Sequence, residues 1–136
     1  MRVKVDEQRQ WDRLMAMAKI GAYEAPVQFN SVTRAYFEGL AATQDEETRK
    51  WLQALGTSDR GDHAARWISD ANPTWSAMLR DTATPTMLQA GIRPNVVPSE
   101  ARGVVNVRML PGNQLDPLVS KLKQLVNDPQ VRIEVE

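Results

Sequence analysis

The chain has 136 residues, 42% hydrophobic and 25% charged, a size and balance that fit one compact soluble domain and exclude a disordered or fibrous protein. Lys plus Arg and Asp plus Glu are 17 each, so no basic excess points to nucleic acid. No apolar run nears the ~20 residues that span a bilayer, and the N-terminus has no signal-peptide core, so no membrane partner is expected. With no Cys and one His, the chain lacks a disulfide framework, thiolate chemistry and the usual ligands of a transition metal. The compartment is left open, with cytoplasm the default for a soluble chain.

Arg2-Val3-Lys4-Val5 alternates polar and apolar residues and suits a short edge strand. From Gln8 a helical period takes over. Trp11, Leu14, Met15 and Ala18 fall on one helix face, and Gly21 stands where a C-terminal cap is expected. Between Tyr23 and Leu79 the pattern is irregularly helical, with Val32, Tyr36, Phe37 and Leu40 as one apolar stripe. Asp45-Glu46-Glu47 followed by Arg49-Lys50 reads as a helix start whose charges complement the dipole, and Trp51, Leu52 and Leu55 carry that helix to Gly56. Thr57 to Asp62 reads as a loop. Ala64 to Ala71 and Thr74 to Leu79 read as two short helices broken at Asn72-Pro73.

Beyond Arg80 the pattern changes. Thr82 to Ala90 is rich in Thr and bounded by Gly91, a strand that Pro85 confines to an edge or a bulge because proline cannot donate to a ladder. Residues 92–99, with Pro94 and Pro98, form a connection. Ala101 to Leu110 is the clearest strand, with Val105, Val107 and Met109 on one face and Val104, Asn106, Arg108 and Leu110 on the other. Pro111-Gly112 ends it. Asn113 is the expected N-cap of a helix with Asp116 near its positive end and a stripe of Leu115, Leu118, Val119, Leu122, Leu125 and Val126. Asn127-Asp128-Pro129 stops the helix, and Val131, Ile133 and Val135 alternate with Arg132, Glu134 and Glu136 as a last strand.

This order is the βαββαβ of an α+β, ferredoxin-like fold: an antiparallel sheet covered by helices, with a helical insertion after the first helix at about 24–80. Residues 1–136 read as a single domain. Because the chain stops on a strand, it is expected to be a domain cut from a longer polypeptide.

Chemistry is sparse. His63, in Arg60-Gly61-Asp62-His63-Ala64, reads as a solvated or capping residue, and Asp45-Glu46-Glu47 as a solvated helix start rather than a cation site. The Trp residues at 11, 51, 67 and 75 sit in apolar helical patterns and read as core or interface anchors. Arg108 shares a strand face with Asn106, which marks that face as partly open. It is either a surface Arg lying along the strand or a guanidinium set to clamp a carboxylate bidentately. Asn95, between prolines, is either a turn residue or a polar contact on a stiffened loop.

Three segments carry a resemblance: Thr82-Ala83-Thr84-Pro85-Thr86-Met87; Gly91-Ile92-Arg93-Pro94-Asn95-Val96-Val97-Pro98-Ser99-Glu100-Ala101; and Val107-Arg108-Met109-Leu110-Pro111-Gly112. Together they resemble the dimerisation (lid) domain of the dizinc aminoacylase and carboxypeptidase family, which includes carboxypeptidase G, succinyl-diaminopimelate desuccinylase and the Gly-Xaa carboxypeptidases. That family's pattern is Gly, a spacer, Asn-Val-Ile-Pro, two residues, Ala, and an Arg thirteen residues after the Asn. Asn95 and Arg108 keep the spacing, with Val97 in place of Ile. The resemblance covers residues 74–136 and the helix at 9–23, and the insertion is most similar to the Gly-Xaa carboxypeptidase branch.

The resemblance implies a homodimerising, ferredoxin-like lid, not catalytic alone, belonging to a zinc-dependent peptidase or amidohydrolase that acts on N-acyl amino acids or dipeptides. Two zinc ions would reside in a catalytic domain of the same polypeptide. Arg108 would hold the substrate carboxylate and Asn95 its polar acyl or peptide groups, both reaching a substrate in the partner subunit. Two departures stand out. The family's Gly-His-x-Ser between first strand and first helix is replaced by Val5-Asp6-Glu7-Gln8. Full extension of residues 95–108 would also set Asn95 and Arg108 on the order of 40 Å apart at ~3.3 Å per residue. The rival reading is a free-standing ferredoxin-like binding or assembly module.

Overall fold

A computed structural model describes residues 1–5, 10–57, 59–93, 95–96, 98 and 100–136, with backbone alone at 2–5 and 10–14. In chain order the elements are β1 (Arg2–Val5), α1 (Gln10–Gly21), α2 (Ser31–Ala41), α3 (Glu46–Ala54), α4 (Gly61–Ala71), α5 (Pro73–Ala77), β2 (Thr82–Ala90), β3 (Ala101–Arg108), α6 (Leu115–Val126) and β4 (Val131–Glu134). They form two compact units. One comprises Met1–Glu24, Thr82–Met109 and Asn113–Glu136; the other comprises Ala25–Asp81 with Leu110–Gly112.

The first unit is an antiparallel four-stranded sheet in the order β2-β3-β1-β4. The βαββαβ order and this arrangement are those of the ferredoxin-like fold. β1 lies between β3 and β4, so it is an inner strand and not the expected edge. Four alternating residues look the same at an edge or inside a sheet; only the pairing on both sides distinguishes them.

Helices α1 and α6 supply the core with Ala16, Met17, Ile20, Leu118, Val119, Leu122 and Val126, packed on Ala83, Val105 and Ile133 of the strands. The buried face of α1 is therefore Ala16, Met17 and Ile20. The expected stripe is rotated away from it: Met15 is 52% exposed and Ala18 is exposed. Trp11 and Leu14 of that stripe lie where side chains are not described. Met17 fits because β3 carries Gly103 opposite it; a Cβ there would stand 2.6 Å from the Met17 Sδ and Cε. Gly21 is the last residue of α1 rather than a left-handed cap. Its missing side chain matters for another reason, since a Cβ would lie 3.3 Å from the Pro85 Cγ of β2. Lys19 ties the two helices, its Nζ donating at 2.9 Å to the Val126 carbonyl at the C-terminal end of α6. That carbonyl is one of the helix end groups without an intrahelical donor, and it lies at the negative end of the dipole.

α6 keeps its expected stripe, with Leu118, Val119, Leu122 and Val126 buried, but its N-cap is Gln114 and not Asn113. β3 ends at Arg108, two residues before the expected Leu110. Leu110 instead donates its N–H to the Asp81 Oδ1 at 2.8 Å.

In the second unit, Phe37, Leu52, Ala64, Ile68 and Leu79 form a separate core, against which Trp51, Trp67 and Trp75 pack half-buried. Trp51 and Trp67 stack with centroids 5.6 Å apart. The buried line of α2 is Thr33, Phe37 and Ala41, whereas Val32 and Tyr36 of the expected stripe are exposed. The reason is the capping box at Asn30: its side chain accepts the Val32 and Thr33 amides at 3.0 Å, and its own N–H donates to the Thr33 hydroxyl at 2.9 Å. Thr33 is thereby satisfied inside, which a hydropathy pattern does not register. Asp45 caps α3 through the Thr48 amide and hydroxyl, which hold its carboxyl below the ordinary value. Glu46 pairs with Lys50 one turn on at 2.8 Å. Asn72 caps α5, accepting the Thr74 and Trp75 amides.

Leu122→Ala, at a fully buried position, is expected to lower unfolding free energy by about 2–5 kcal/mol, and Met15→Ala to stay within about 0.5 kcal/mol. Urea unfolding followed by circular dichroism measures both.

Candidate substrate-binding face of the sheet

The helices cover one face of the sheet, and β3 alternates accordingly. Ala101, Gly103 and Val105 are buried, whereas Arg102, Asn106 and Arg108 are exposed on the bare face. Register sets β2 beside them: Thr82 opposite Arg108, Thr84 opposite Asn106, Met87 opposite Val104 and Gln89 opposite Arg102. Arg108 is the last residue of β3, and the exposed guanidinium has no hydrogen bond or ion pair to another described residue.

Asn95 is also exposed, in a turn of the 91–100 connection at the opposite end of the hairpin. This connection closes on itself. The Val96 amide donates to the Arg93 carbonyl at 3.3 Å, and Gly91 takes a left-handed φ of 79° close to Pro98. A recess of about 360 Å³ forms there, between Ile92, Val96 and Pro98 of the connection and Arg102 of β3. Arg102 is paired with Glu100 at 2.8 Å, whose hydrogen bond and charge raise the guanidinium pKa further. Since β3 is eight residues long, its two ends are ~23 Å apart at ~3.3 Å per residue. Within one chain the structure thus does not bring Asn95 and Arg108 together. Pro94, Val97 and Ser99 of the motif, and Asp6, Glu7 and Gln8 at the Gly-His-x-Ser position, lie outside the described residues.

β2 carries one feature beyond those expected from its residues. The strand is an edge, and a bulge between Pro85 and Met87 divides it, as its proline predicts. Past the bulge, Thr86 to Ala90 are all exposed, with Met87 at 55% and Leu88 at 46%. Neighbouring residues of a strand point to opposite faces, so this half of β2 is uncovered on both sides and along its edge. The adjacent Met-Leu pair, which breaks the polar–apolar alternation of a half-buried strand, is the signal that could have revealed it.

His63 is exposed in the first turn of α4. Among the described residues no group of three or more His, Cys, Asp or Glu could hold a metal ion. None of the described helices is long and apolar enough to cross a membrane.

The model of the peptidase dimerisation domain family matches residues 30–134, most of the chain. The chain belongs to this family. Among curated proteins it is similar to a probable carboxypeptidase S-like protein 1 of Dictyostelium discoideum, 33% identical over 66 residues, which is 48% of this chain and 14% of that relative. The mouse N-fatty-acyl-amino acid synthase/hydrolase PM20D1 is 34% identical over 68 residues, 50% of this chain and 14% of the relative. Its human counterpart is 33% identical over 66 residues. The chain thus matches only a small part of each relative's length.

Because Arg108 is exposed and engages no described neighbour, Arg108→Lys in this dimerisation domain is expected to leave unfolding free energy within about 0.5 kcal/mol of the parent. Thermal unfolding checks this.

Proposed function

We propose that this peptidase dimerisation domain serves as the lid of a hydrolase acting on N-acyl amino acids or dipeptides, pairing with a second copy and lending substrate contacts without being catalytic alone. The observation that carries the reading is the uncovered half of β2, an unpaired edge with exposed Met87 and Leu88, in a chain of the dimerisation family. An exposed apolar edge is a template for strand pairing, and a protein that keeps one has a use for it. The similarity to carboxypeptidase-like proteins and N-fatty-acyl-amino acid hydrolases supports a substrate with a free carboxylate. Arg108 suits that group, since a guanidinium grips a carboxylate with two parallel N–H donors.

Zinc belongs to the parent's catalytic domain in this reading. The described residues do not fit it, and the roles assigned to this chain are binding and orientation. A two-fold axis normal to the sheet would run the two β2 edges antiparallel. The 91–100 connection of one copy would then lie toward the Arg108 end of the other. Asn95 and Arg108, which stand apart in one chain, would meet from two chains around one substrate.

Two experiments test this. Leu88→Lys should convert a sedimenting dimer to monomer with the fold retained; a parent chain that is already monomeric at high concentration would favour a free-standing module instead. In the full-length enzyme, Asn95→Ala and Arg108→Ala should each abolish most activity. Mixing and re-associating the two variants should restore about a quarter of it, because each mixed dimer regains one intact site. No recovery would mean that both residues serve the same site from one chain.

A further inference from the structure

We infer that Asn106 is a second substrate-contact residue, holding the amide group that neighbours the carboxylate gripped by Arg108; this rests on the lid reading above. Asn106 stands two residues before Arg108 on β3, so alternation puts both on the bare face, ~6.6 Å apart along the strand. Across the ladder they face Thr84 and Thr82, at the short cross-strand spacing that lets side chains meet. These four residues form one polar patch on a sheet whose other face is packed with aliphatic side chains. Among the described residues no hydrogen bond engages the side chains of Thr82, Thr84 or Asn106.

Asn is depleted in strands, where its short amide competes for the backbone, so a mid-strand Asn on a bare face has no structural return here. Its chemistry fits a ligand. A carboxamide offers both a donor and an acceptor, which match the C=O and N–H of an amide. In an N-acyl amino acid or a dipeptide, that amide lies one carbon from the carboxylate. A guanidinium and a carboxamide at strand spacing therefore read the two groups that define the substrate class. Asn95 cannot make this pair within the chain, since it occupies the far end of the hairpin.

The test uses the full-length enzyme with an N-acyl amino acid and with its carboxamide analogue, which lacks the carboxylate. Asn106→Ala should lower kcat/KM about 10- to 100-fold on both substrates, in line with the loss of one or two hydrogen bonds to substrate. Arg108→Lys should lower it on the acid and leave the carboxamide unaffected. Asn106→Thr, which favours a strand, should match Asn106→Ala in activity and melt at or above the parent temperature. If the Asn106 penalty vanishes with the carboxamide, Asn106 only positions Arg108, and the inference falls. It falls also if Asn106→Ala behaves as the parent while Arg108→Lys is impaired. Indifference of the acid reaction to Arg108→Lys would instead sink the lid reading on which it rests.

Discussion

Helices α1 and α6 pack on one face of the sheet while Arg102, Asn106 and Arg108 of β3 are exposed on the other, and strand alternation turns this asymmetry into a sorting rule. On β3, every second residue must be small or aliphatic to meet Met17, Ile20 and Leu122, and the residues between are free of that demand. Arg102, Asn106 and Arg108 occupy the free positions. A one-residue slip of register would drive three polar side chains into the core. The same packing that stabilises the unit thus fixes which way Arg108 and Asn106 face, with no separate device to orient them. Gly103 is the clearest mark of this coupling: the absence of one Cβ on the covered face lets Met17 lie close to the strand that presents Asn106 and Arg108.

The edges of the sheet are treated differently. β4 is four residues long, with charged Arg132 and Glu134 exposed, a short charged edge of the kind that discourages pairing. β2 is protected only in its first half, where Ala83 is buried and Pro85 meets the end of α1 at Gly21. The bulge after Pro85 marks where that protection ends. Beyond it the chain leaves Met87 and Leu88 in water, a cost that membership of a dimerisation family makes intelligible.

Much of the fold is legible in the residues because local rules act on it. Pro85 announces an edge and a bulge, Asn72-Pro73 a helix restart, Asp45 a helix start, and the alternation of β3 a half-covered strand. What was not legible depends on partners remote in sequence. The buried faces of α1 and α2 depart from their apolar stripes because small or polar residues, Ala16 and Thr33, take the buried positions, while Met15, Val32 and Tyr36 stay outside. Apolar periodicity counts large side chains, yet close helix–sheet approach favours small ones, and a satisfied Thr is as good as an aliphatic residue. β1 is an inner strand and not the edge its pattern suggests, because strand order is a property of pairing. At the candidate site, Arg108 and its open face were readable from period two. The position of Asn95 was not, because a proline-rich connection has no period from which to trace its path.

The separation of Asn95 from Arg108 constrains how any lid of this shape can work. Ligand contacts at both ends of one hairpin cannot converge on a small amino acid derivative unless the hairpin bends or a second hairpin supplies the other half. The β2–β3 ladder runs unbroken from Ala90 to Thr82 except for its single bulge, which makes the bend implausible on hydrogen-bond grounds alone. In the proposed dimer a second copy would solve the problem at no cost to the fold, because edges paired antiparallel set the tip of one hairpin toward the base of the other. Dimerisation of the proposed kind would do more than cover Met87 and Leu88. In the proposed lid it would assemble a binding site from two halves, each carried on its own one-sided core, so that loss of the interface and loss of substrate recognition would be the same event.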